Sequence, residues 1–441
     1  MRVALLTGEY PPQPGGVGDY TRHLAEALVA RGHGVLVYTI VDCRLQIVDL
    51  GRSTIHRQST SGDLRSNWGW RSWRAVIAAL AQTRPDVLHI QYQTGAYGMR
   101  PAINLLPWRL KRLPARPAVA VTAHDLLLPY LFPKAGPLRD WVTWRLLRDA
   151  DALVVTNEAD FAQVAEIRHM ESGAADLRTR TGQPGPRPQA PSLIPIGSNI
   201  DVAPQEGYDR AAWRARLGVA AGETLVAYFG LISRTKGLDV LLGALARLPA
   251  TFRLLIVGGA ATAPEDRAYA AEIERRAAAL GLGPRLITTG HCPAPEVSAH
   301  LLAADLAALP FADGASFRRG SLLAALAHGL PTVTTPPAEG QSPKTKDQGQ
   351  AAGFVDPRSL APRPVVDGES ALLVAPGDEQ ALAGAIERLA GDAALRARLA
   401  SGGRAVAAQF SWDEIAARHE ELYERLSQRA TAARGSSSLS L

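Results

Sequence analysis

Residues 306–336 have the sequence LAALPFADGASFRRGSLLAALAHGLPTVTTP. This pattern predicts a strand, a loop, a helix over 321–327 and a second strand. A helix that starts just after Arg318-Arg319-Gly320-Ser321 directs unpaired N–H groups, a hydroxyl and two guanidinium groups at one point. Such a combination suits a phosphate or diphosphate. Taken alone, the same residues also fit an ordinary solvated loop with Ser321 as the N-cap of the helix.

The composition is that of a globular protein with two domains. The chain has 441 residues, of which 46% are hydrophobic and 20% charged, and this is too long for one core. Two cysteines cannot cross-link such a chain and favour a reducing compartment. No apolar run approaches the roughly 20 residues of a membrane span, and the apolar run at the N-terminus is too short for a signal peptide. We therefore expect a cytoplasmic protein.

The net charge of +6 is unevenly distributed. Residues 1–200 carry the excess of basic side chains and also most of the tryptophans. Within LRSNWGWRSWR at 64–74, tryptophans alternate with arginines: Trp68, Trp70 and Trp73 with Arg65, Arg71 and Arg74. The pattern fits the headgroup region of an anionic membrane, and it equally fits a helix whose tryptophans pack inward. No aromatic-basic motif of a nucleic-acid module is present, so nucleic acid is not an expected partner.

The first half of the chain predicts a parallel sheet with helices on both faces. A strand at 3–7, a Pro/Gly loop at 10–20 and a helix over 21–31 open the series, and the loop lets the backbone approach a ligand closely. Its glycine spacing is not the dinucleotide fingerprint, so NAD is not indicated. His124 follows a later strand, at the carboxyl end where such sheets bind ligands.

The second half predicts a similar series, which starts with a strand over 224–229. Between the halves, residues 178–192 are rich in Pro, Gly and Arg and predict a surface loop, as does the polar stretch after Thr335. These features predict two domains, at 1–200 and at 201–410, a helix over 411–430 and a disordered tail at 431–441.

Six stretches carry a resemblance to a known family. They are PPQPGGVGDYTRHLAEALVARGHGVLVYT at 11–39, AHDL at 123–126, IPIGSNI at 194–200, FGLISRTKGLDVLLGAL at 229–245, AHGLPTVTT at 327–335 and FSWDEIAARHEELYERL at 410–426. Together they resemble the retaining GT-B glycosyltransferases of family 4, the glycosyl transferases group 1. This resemblance implies an α/β protein with two doubly wound, Rossmann-like domains that face each other across a cleft. It also implies that the domain at 1–200 binds the acceptor, that the domain at 201–410 binds the nucleotide sugar, and that the helix over 411–430 packs back on the first domain.

The resemblance also implies roles for particular residues. His124 is expected close to the transferred sugar, Lys236 neutralises the donor diphosphate, and the loop and helix start at 310–323 hold the sugar and diphosphate. Because the leaving nucleoside diphosphate gains negative charge, fixed cations and N–H groups aimed at it stabilise the transition state. The catalytic candidates are His124, Lys236 and Arg319. The donor-binding candidates are Gly15, Gly16, Val17, Lys236, Gly290, His291, Cys292, Arg318, Arg319, Gly320 and Ser321.

Two positions depart from the family pattern. Leu231 stands where the family commonly has an arginine that pairs with the lysine. Ala324 stands at the second glutamate of the E-x7-E signature, and residues 306–337 contain no glutamate. Two arginines, at 318 and 319, are present instead, and we infer that they replace the cation lost at Leu231.

The expected activity is transfer of a hexose from a nucleoside-diphosphate sugar to an acceptor hydroxyl, with retention and without a metal ion. The expected acceptor is a glycan or a lipid-linked sugar in cell-envelope polysaccharide or glycolipid synthesis, with peripheral contact to the inner, anionic membrane face. Two alternatives remain open. One is a sugar-nucleotide epimerase of the same architecture, which needs carboxylates in the cleft. The other is a non-catalytic nucleotide-sugar-binding protein, which the missing glutamates favour.

Overall fold

The computed structural model describes most of the chain and divides it into two compact units. Unit 1 comprises Met1–Ile196 and Trp412–Leu441, and unit 2 comprises Gly197–Ser411. Most of the loop predicted at 178–192 lies outside the described residues, as do Arg318, Cys43 and much of the polar stretch after Thr335. The described residues are 1–13, 15–41, 44–50, 56–59, 68–124, 136–158, 160–164, 191–259, 264–317, 319–337 and 364–437.

Unit 1 is built on one large sheet. Its strands are β1 Arg2–Thr7, β2 Gly34–Val41, β3 Arg44–Asp49, β4 His56–Ser59, β5 Val87–Tyr92, β6 Ala118–Ala123, β7 Ala152–Val155 and β8 Ser192–Leu193. The strand order is β4-β3-β2-β1-β5-β6-β7-β8. Strands β5 and β6 are buried along their whole length, as expected for central parallel strands.

One edge of this sheet differs from the parallel sheet that the sequence predicts. Strand β3 pairs antiparallel with both β2 and β4, whereas β1 pairs in parallel with β2 and β5. The connection from Val41 to Arg44 is too short for the crossover that a parallel neighbour requires. The chain therefore turns back on itself and extends the sheet with a hairpin.

The helices of unit 1 that precede its last strand include α1 Gly16–Ala30, α2 Ser72–Thr83, α3 Leu106–Leu110 and α4 Gly136–Asp149. Helix α1 begins well before the predicted start at residue 21, so the Pro/Gly loop is shorter than expected. The buried positions Val17, Tyr20, Leu24 and Leu28 recur at helical spacing and continue the apolar face back to the glycines.

Unit 2 contains a six-stranded parallel sheet. Its strands are β9 Thr224–Phe229, β10 Phe252–Val257, β11 Leu286–Gly290, β12 Leu306–Leu309, β13 Thr332–Thr334 and β14 Leu372–Leu373. The order is β11-β10-β9-β12-β13-β14. The chain runs from β9 out to β11, then returns to the other side of β9. The switch point of this doubly wound sheet therefore lies between β9 and β12.

The described residues of unit 2 form the helices α5 Arg210–Arg216, α6 Leu238–Arg247, α7 Pro264–Ala279, α8 Ala294–Ala303, α9 Gly320–Ala327, α10 Glu379–Gly391 and α11 Ala393–Ala408. The helix predicted over 321–327 is confirmed as α9, with a start one residue earlier. Its residues from Ser321 to Leu326 are all buried, so α9 lies inside the core of the unit rather than on its surface.

The last helix, α12 at Trp412–Ser437, belongs to unit 1. Its buried side chains join a core cluster of β1, β2 and α1: they are Ile415, Ala416, Leu422, Tyr423 and Leu426. Arg31 at the end of α1 pairs with Asp413 at 2.9 Å and with Glu420 at 2.7 Å. An apolar face and two ion pairs thus fix this helix to unit 1.

The disordered tail predicted at 431–441 is wrong as far as Ser437, because α12 continues to that residue. The segment TAAR at 431–434 contains good helix formers that extend a helix already fixed by packing. Residues 438–441 lie outside the described part of the chain.

Candidate active site

The switch point of unit 2 brings two loops into direct contact. The loop after β9 forms a short 3-10 turn at Arg234–Lys236, and the loop after β12 begins at Pro310. The Ala312 N–H donates to the Thr235 carbonyl at 3.0 Å. Gly237 has a φ of 64°, and a Cβ there would lie 2.0 Å from the Pro310 carbonyl oxygen, so only glycine permits this approach. Doubly wound sheets bind ligands at this end of the strands.

Lys236 ends that turn, and its ammonium lies against the backbone of the preceding loop. A Cβ on Gly230 would lie only 2.2 Å from the Lys236 Nζ. Burial, and then the nearby positive charge of Arg319, lowers the pKa of Lys236 to about 8. Among the ion pairs of the described residues, none involves Lys236. The arrangement is that of a partly desolvated cation for which a bound anion would be a favourable partner.

Arg319 lies at the other side of the switch point, immediately before α9. It is the N-cap residue of α9 and forms an ion pair with Asp313, which is more than half exposed. The Arg319 guanidinium also stacks over the Phe311 ring at 4.4 Å. These contacts hold the charge at the first turn of the helix, next to Lys236.

Ser321 is not the N-cap that the sequence also allowed, because that position belongs to Arg319. Ser321 is the second helical residue, and it is buried. Its Oγ has no hydrogen-bond partner among the described residues. A buried hydroxyl without a partner is unusual in a protein, and at a helix N-terminus it is placed to bind an anion.

A row of glycines follows the strands on the β11 side of the switch point. Gly230, Gly258 and Gly290 end or follow β9, β10 and β11, and all three have positive φ. A Cβ on Gly258 would lie 2.4 Å from the Gly230 carbonyl oxygen, and Gly258 forms an isolated bridge with Gly290. The next two residues are the exposed His291 and the half-buried Cys292. Burial raises the pKa of the Cys292 thiol, so it is not a thiolate nucleophile.

In unit 1, the predicted glycine loop lies against an acidic side chain, that of Glu9. Gly15 is the N-cap of α1 and Gly16 its first residue. Glu9 Oε1 accepts hydrogen bonds from the N–H of Val17 at 2.9 Å and of Gly18 at 3.3 Å. Of the three donor-binding candidates in this loop, Val17 therefore already has its N–H paired within the chain.

His124 directly follows β6, as expected, and lies among buried groups. Its Nε2 donates to Gln91 Oε1 at 3.0 Å, and its ring meets the Tyr20 ring edge-on at 4.5 Å. Burial, and then the proximity of His419, lowers the pKa of His124 to about 3. The ring is therefore neutral at physiological pH and presents a proton at a fixed nitrogen.

The final helix supplies residues to this cluster that the sequence did not single out. His419 is fully buried, its Nδ1 donates to the Ile415 carbonyl at 2.8 Å, and burial lowers its pKa to about 4. Tyr423, one turn later, has its hydroxyl 2.7 Å from Nδ1 of the buried His89. The only signal in the sequence is the i, i+4 spacing of Ile415, His419 and Tyr423 on one face of a helix.

Three polar atoms of this cluster are buried without a hydrogen-bond partner among the described residues. They are Tyr20 Oη, Gln91 Nε2 and His419 Nε2. Two of the three side chains contact His124 directly, and the third lowers its pKa. The surroundings of His124 are thus polar and desolvated at once, which is unusual for a purely structural core.

The candidates fall into two groups. In unit 2 the structure brings Lys236, Arg319, Gly320 and Ser321 to one switch point, with the glycine row beside them, whereas Arg318 lies outside the described residues. Gly15, Gly16, Val17 and His124 lie in unit 1, at the carboxyl ends of its strands. Within the described residues, no group of three or more His, Cys, Asp or Glu side chains could hold a metal ion. No helix in the described ranges is long and apolar enough to cross a membrane.

Two protein families match the chain in the places where the two sheets lie. Residues 15–175 match the Glycosyl transferase 4-like domain, and residues 223–392 match the Glycosyl transferases group 1. The D-inositol 3-phosphate glycosyltransferase of Xylanimonas cellulosilytica is 30% identical, but the match covers 54% of this chain and only about half, 52%, of that protein. That of Corynebacterium urealyticum is 28% identical over 97% of this chain and 96% of that protein.

Solved structures show the same fold. Sucrose-phosphate synthase from Thermosynechococcus elongatus is similar with a TM-score of 0.60 and 23% identity, over 97% of this chain and 99% of that one. Anabaena HepE in complex with UDP is similar with a TM-score of 0.63 and 18% identity, over 96% and 100%. Two Rossmann-like domains with these matches define the GT-B class. The chain belongs to the GT-B glycosyltransferases that combine a 4-like domain with a group 1 domain, which confirms the fold and the family predicted from the sequence.

Proposed function

We propose that this chain transfers a hexose from a nucleoside-diphosphate sugar to an acceptor hydroxyl, with retention, in the synthesis of a cell-envelope polysaccharide or glycolipid. One observation carries the proposal. Two cations, Lys236 and Arg319, and the unpaired hydroxyl of Ser321 converge where the first turn of α9 meets the switch point of unit 2. This is a site for a diphosphate.

The chemistry of the reaction explains why such a site is useful. As the glycosidic bond breaks, the diphosphate gains negative charge. Lys236, Arg319 and the N–H groups at the start of α9 are already in place to stabilise it, so little reorganisation is needed. The diphosphate would in turn raise the pKa of Lys236 and keep the ammonium charged. Stabilisation of the leaving diphosphate by these groups requires no glutamate, so the proposed activity does not depend on the E-x7-E pair.

Beside the Lys236 ammonium at Gly230, the space around the Cβ position of Gly290 at the end of β11 is open, and we propose that the nucleoside lies on this side. HepE was solved with UDP and with UDP-glucose. Because that protein has the same fold, uridine nucleotides are the first donors to test, before the GDP and ADP sugars.

A panel of UDP-, GDP- and ADP-sugars distinguishes the enzyme from a binding protein. We expect one donor to raise the melting temperature and to be hydrolysed slowly without acceptor, since a ligand at 100 times its dissociation constant adds about 2.7 kcal/mol of stability. Stabilisation without hydrolysis or transfer would instead identify a non-catalytic nucleotide-sugar-binding protein. No stabilisation by any donor would contradict the proposal.

We further propose that unit 1 contacts an anionic membrane through tryptophans that stack with arginines. Trp70 and Trp141 are 54% and 49% exposed, whereas Trp68 is buried, so the described part of the Trp/Arg stretch, 68–74, packs partly inward. Arg65 lies outside the described residues. On α3 and α4, Arg112 stacks over Trp108 at 3.6 Å and Arg148 over Trp144 at 4.2 Å. Amphipathic rings beside cations suit a lipid headgroup region, and such a position would give access to a lipid-linked acceptor.

Vesicle co-sedimentation tests the membrane contact. We expect binding that increases with the fraction of anionic lipid and weakens in Trp141→Ser. Val202→Ser is the matched control, because Val202 is similarly exposed, at 52%, but lies in unit 2. Equal binding of wild type, Trp141→Ser and control, or binding that ignores lipid charge, would contradict the membrane proposal and leave the transferase proposal untouched.

A further inference from the structure

A single acidic residue, Asp313, lies in the loop between β12 and α9. Residues 306–336 contain no other Asp or Glu. The Asp313 Oδ1 accepts a hydrogen bond from the Arg319 guanidinium, which is itself stacked over the Phe311 ring. The Arg319 side chain is only 17% exposed, whereas that of Asp313 is 54% exposed. The arginine is therefore held by the core, and the carboxylate is presented on its solvent side.

Neither stability nor phosphate binding explains this carboxylate. An ion pair with so exposed a partner adds little to stability, and a negative charge beside Arg319 weakens its attraction for a diphosphate. Asp239, in the first turn of α6, differs because it already accepts a hydrogen bond from the Tyr269 hydroxyl at 2.7 Å. In Asp313 only Oδ1 is bonded, and Oδ2 has no hydrogen bond to the described residues. This oxygen is available to a ligand.

The strand order β11-β10-β9-β12 gives the direction in which a donor would lie. Its diphosphate is proposed at the switch point between β9 and β12, and its nucleoside on the β11 side, next to Gly290. The hexose is bonded to the other end of the diphosphate, so it lies on the β12 side. Asp313 is in the loop that follows β12, and the Ala312 N–H before it is bonded to the Thr235 carbonyl at 3.0 Å. This bond keeps the Asp313 backbone at the switch point.

We propose that Asp313 is a specificity-determining residue whose carboxylate accepts hydrogen bonds from hydroxyls of the donor hexose, while Arg319 bridges it to the adjoining phosphate. This inference rests on the proposed transferase function, because it assigns the sugar end of the same donor. A carboxylate is an acceptor only, with two oxygens, so it suits hydroxyl donors and repels a free phosphate. The guanidinium has five N–H donors and can hold the carboxylate and the phosphate together.

The test compares UDP with UDP-glucose by calorimetry on the full-length protein. The readout is the dissociation constant of UDP-glucose divided by that of UDP, in which effects on the diphosphate cancel. We expect Asp313→Asn to raise this ratio at least tenfold, because a hydrogen bond to a charged group is lost. Glu272→Gln is the matched control, since Glu272 is a similarly exposed carboxylate that pairs with Arg234 at 2.5 Å, and it should keep the wild-type ratio. If the donor panel selects another base, GDP with GDP-mannose or ADP with ADP-glucose takes the place of this pair.

UDP-glucose analogues that each lack one sugar hydroxyl identify the contact. At least one analogue should bind more weakly than UDP-glucose to the wild type, yet equally well to the wild type and to Asp313→Asn, because both changes remove the same hydrogen bond. The Asp313 side chain is exposed, so we expect the variant to fold.

An unchanged ratio in Asp313→Asn would overturn the inference. This holds if both ligands bind more tightly, which would mean that Asp313 only competes with the phosphate for Arg319. Losses from the variant and from every missing hydroxyl that simply add would overturn it as well. Failure of the proposed function has a different signature: the wild type would then bind neither the nucleoside diphosphates nor their sugars, whereas failure of this inference alone leaves both bound.

Discussion

Replacement of Lys236 by methionine separates a functional lysine from a structural one, because the two roles predict opposite changes in stability. Methionine keeps most of the length and apolar stem of lysine but removes the charge. In the free protein, Lys236 is a half-buried cation without an ion-pair partner among the described residues, and its pKa is lowered from 10.5 to about 8. Its charge is therefore unfavourable until an anion binds.

The size of the effect follows from that pKa. This lowering of the pKa means that the charged lysine is about 3 kcal/mol less favourable in the folded protein than in the unfolded chain. Solvent screening at a half-buried group reduces this difference to about 1–2 kcal/mol. Lys236→Met should therefore raise the free energy of unfolding at pH 7 by about 1–2 kcal/mol. Turnover should fall by a factor of about 100–1000, as expected for loss of a preorganised charge.

The pH dependence has a definite sign. Between pH 8 and 10.5 the unfolded chain holds a proton on Lys236 that the folded protein has released, so the free energy of unfolding of the wild type rises with pH in this window. Lys236→Met should lack that contribution. Denaturant titrations at pH 7, 9 and 10 measure it, and single-turnover transfer from the donor found by the panel measures the activity.

The neighbouring arginine provides the control. Arg234 lies in the same 3-10 turn, is exposed and pairs with Glu272 at 2.5 Å, so Arg234→Met should change stability by less than about 1 kcal/mol and leave turnover within about twofold. If Lys236→Met retained wild-type turnover, the proposed diphosphate site would be wrong. If Lys236→Met lowered the free energy of unfolding, Lys236 would not be the unpaired, desolvated cation described above.

Three further outcomes follow from buried groups. Ser321→Ala removes a hydroxyl that has no partner among the described residues. Calorimetry should therefore show weaker donor binding, while chemical denaturation should show a change in the free energy of unfolding below about 0.5 kcal/mol. A large loss of stability with unchanged donor binding would contradict this prediction. Ala324→Glu places a carboxylate at a fully buried position, so we expect the free energy of unfolding to fall by several kcal/mol and turnover not to rise. A folded, more active variant would refute the idea that cations replace the family glutamate. Between pH 6.5 and about 4 the unfolded chain takes up protons at His124 and His419 that the folded protein does not, so the free energy of unfolding should fall as pH falls by up to about 1.4 kcal/mol per pH unit for each histidine. His419→Leu should reduce that slope, and an unchanged slope would place the titration elsewhere.

Local patterns in the sequence were sufficient for much of the fold. The alternation of apolar runs and amphipathic segments predicted the two βα series, and the run from 306 to 336 predicted β12, α9 and β13 within about a residue. Strand and helix periods, glycine turns and propensities act over a few residues, so a single sequence reveals them. The same local reasoning predicts a phosphate site at the basic, hydroxyl-bearing start of α9, and this remains a prediction.

Tertiary contacts decided the features that depend on distant residues. The sequence predicted a phosphate near Gly15, Gly16 and Val17, but the Glu9 carboxylate accepts from the N–H groups of Val17 and Gly18. A pairing across that loop has no local signature. Ser321 resembled an N-cap until α9 was seen to begin one residue earlier, which left its hydroxyl buried without a described partner. His419 became a neighbour of His124 only because the last helix packs on the first unit. Burial and charge proximity set the pKa values of Lys236, His124 and His419, and both depend on which segments meet in space.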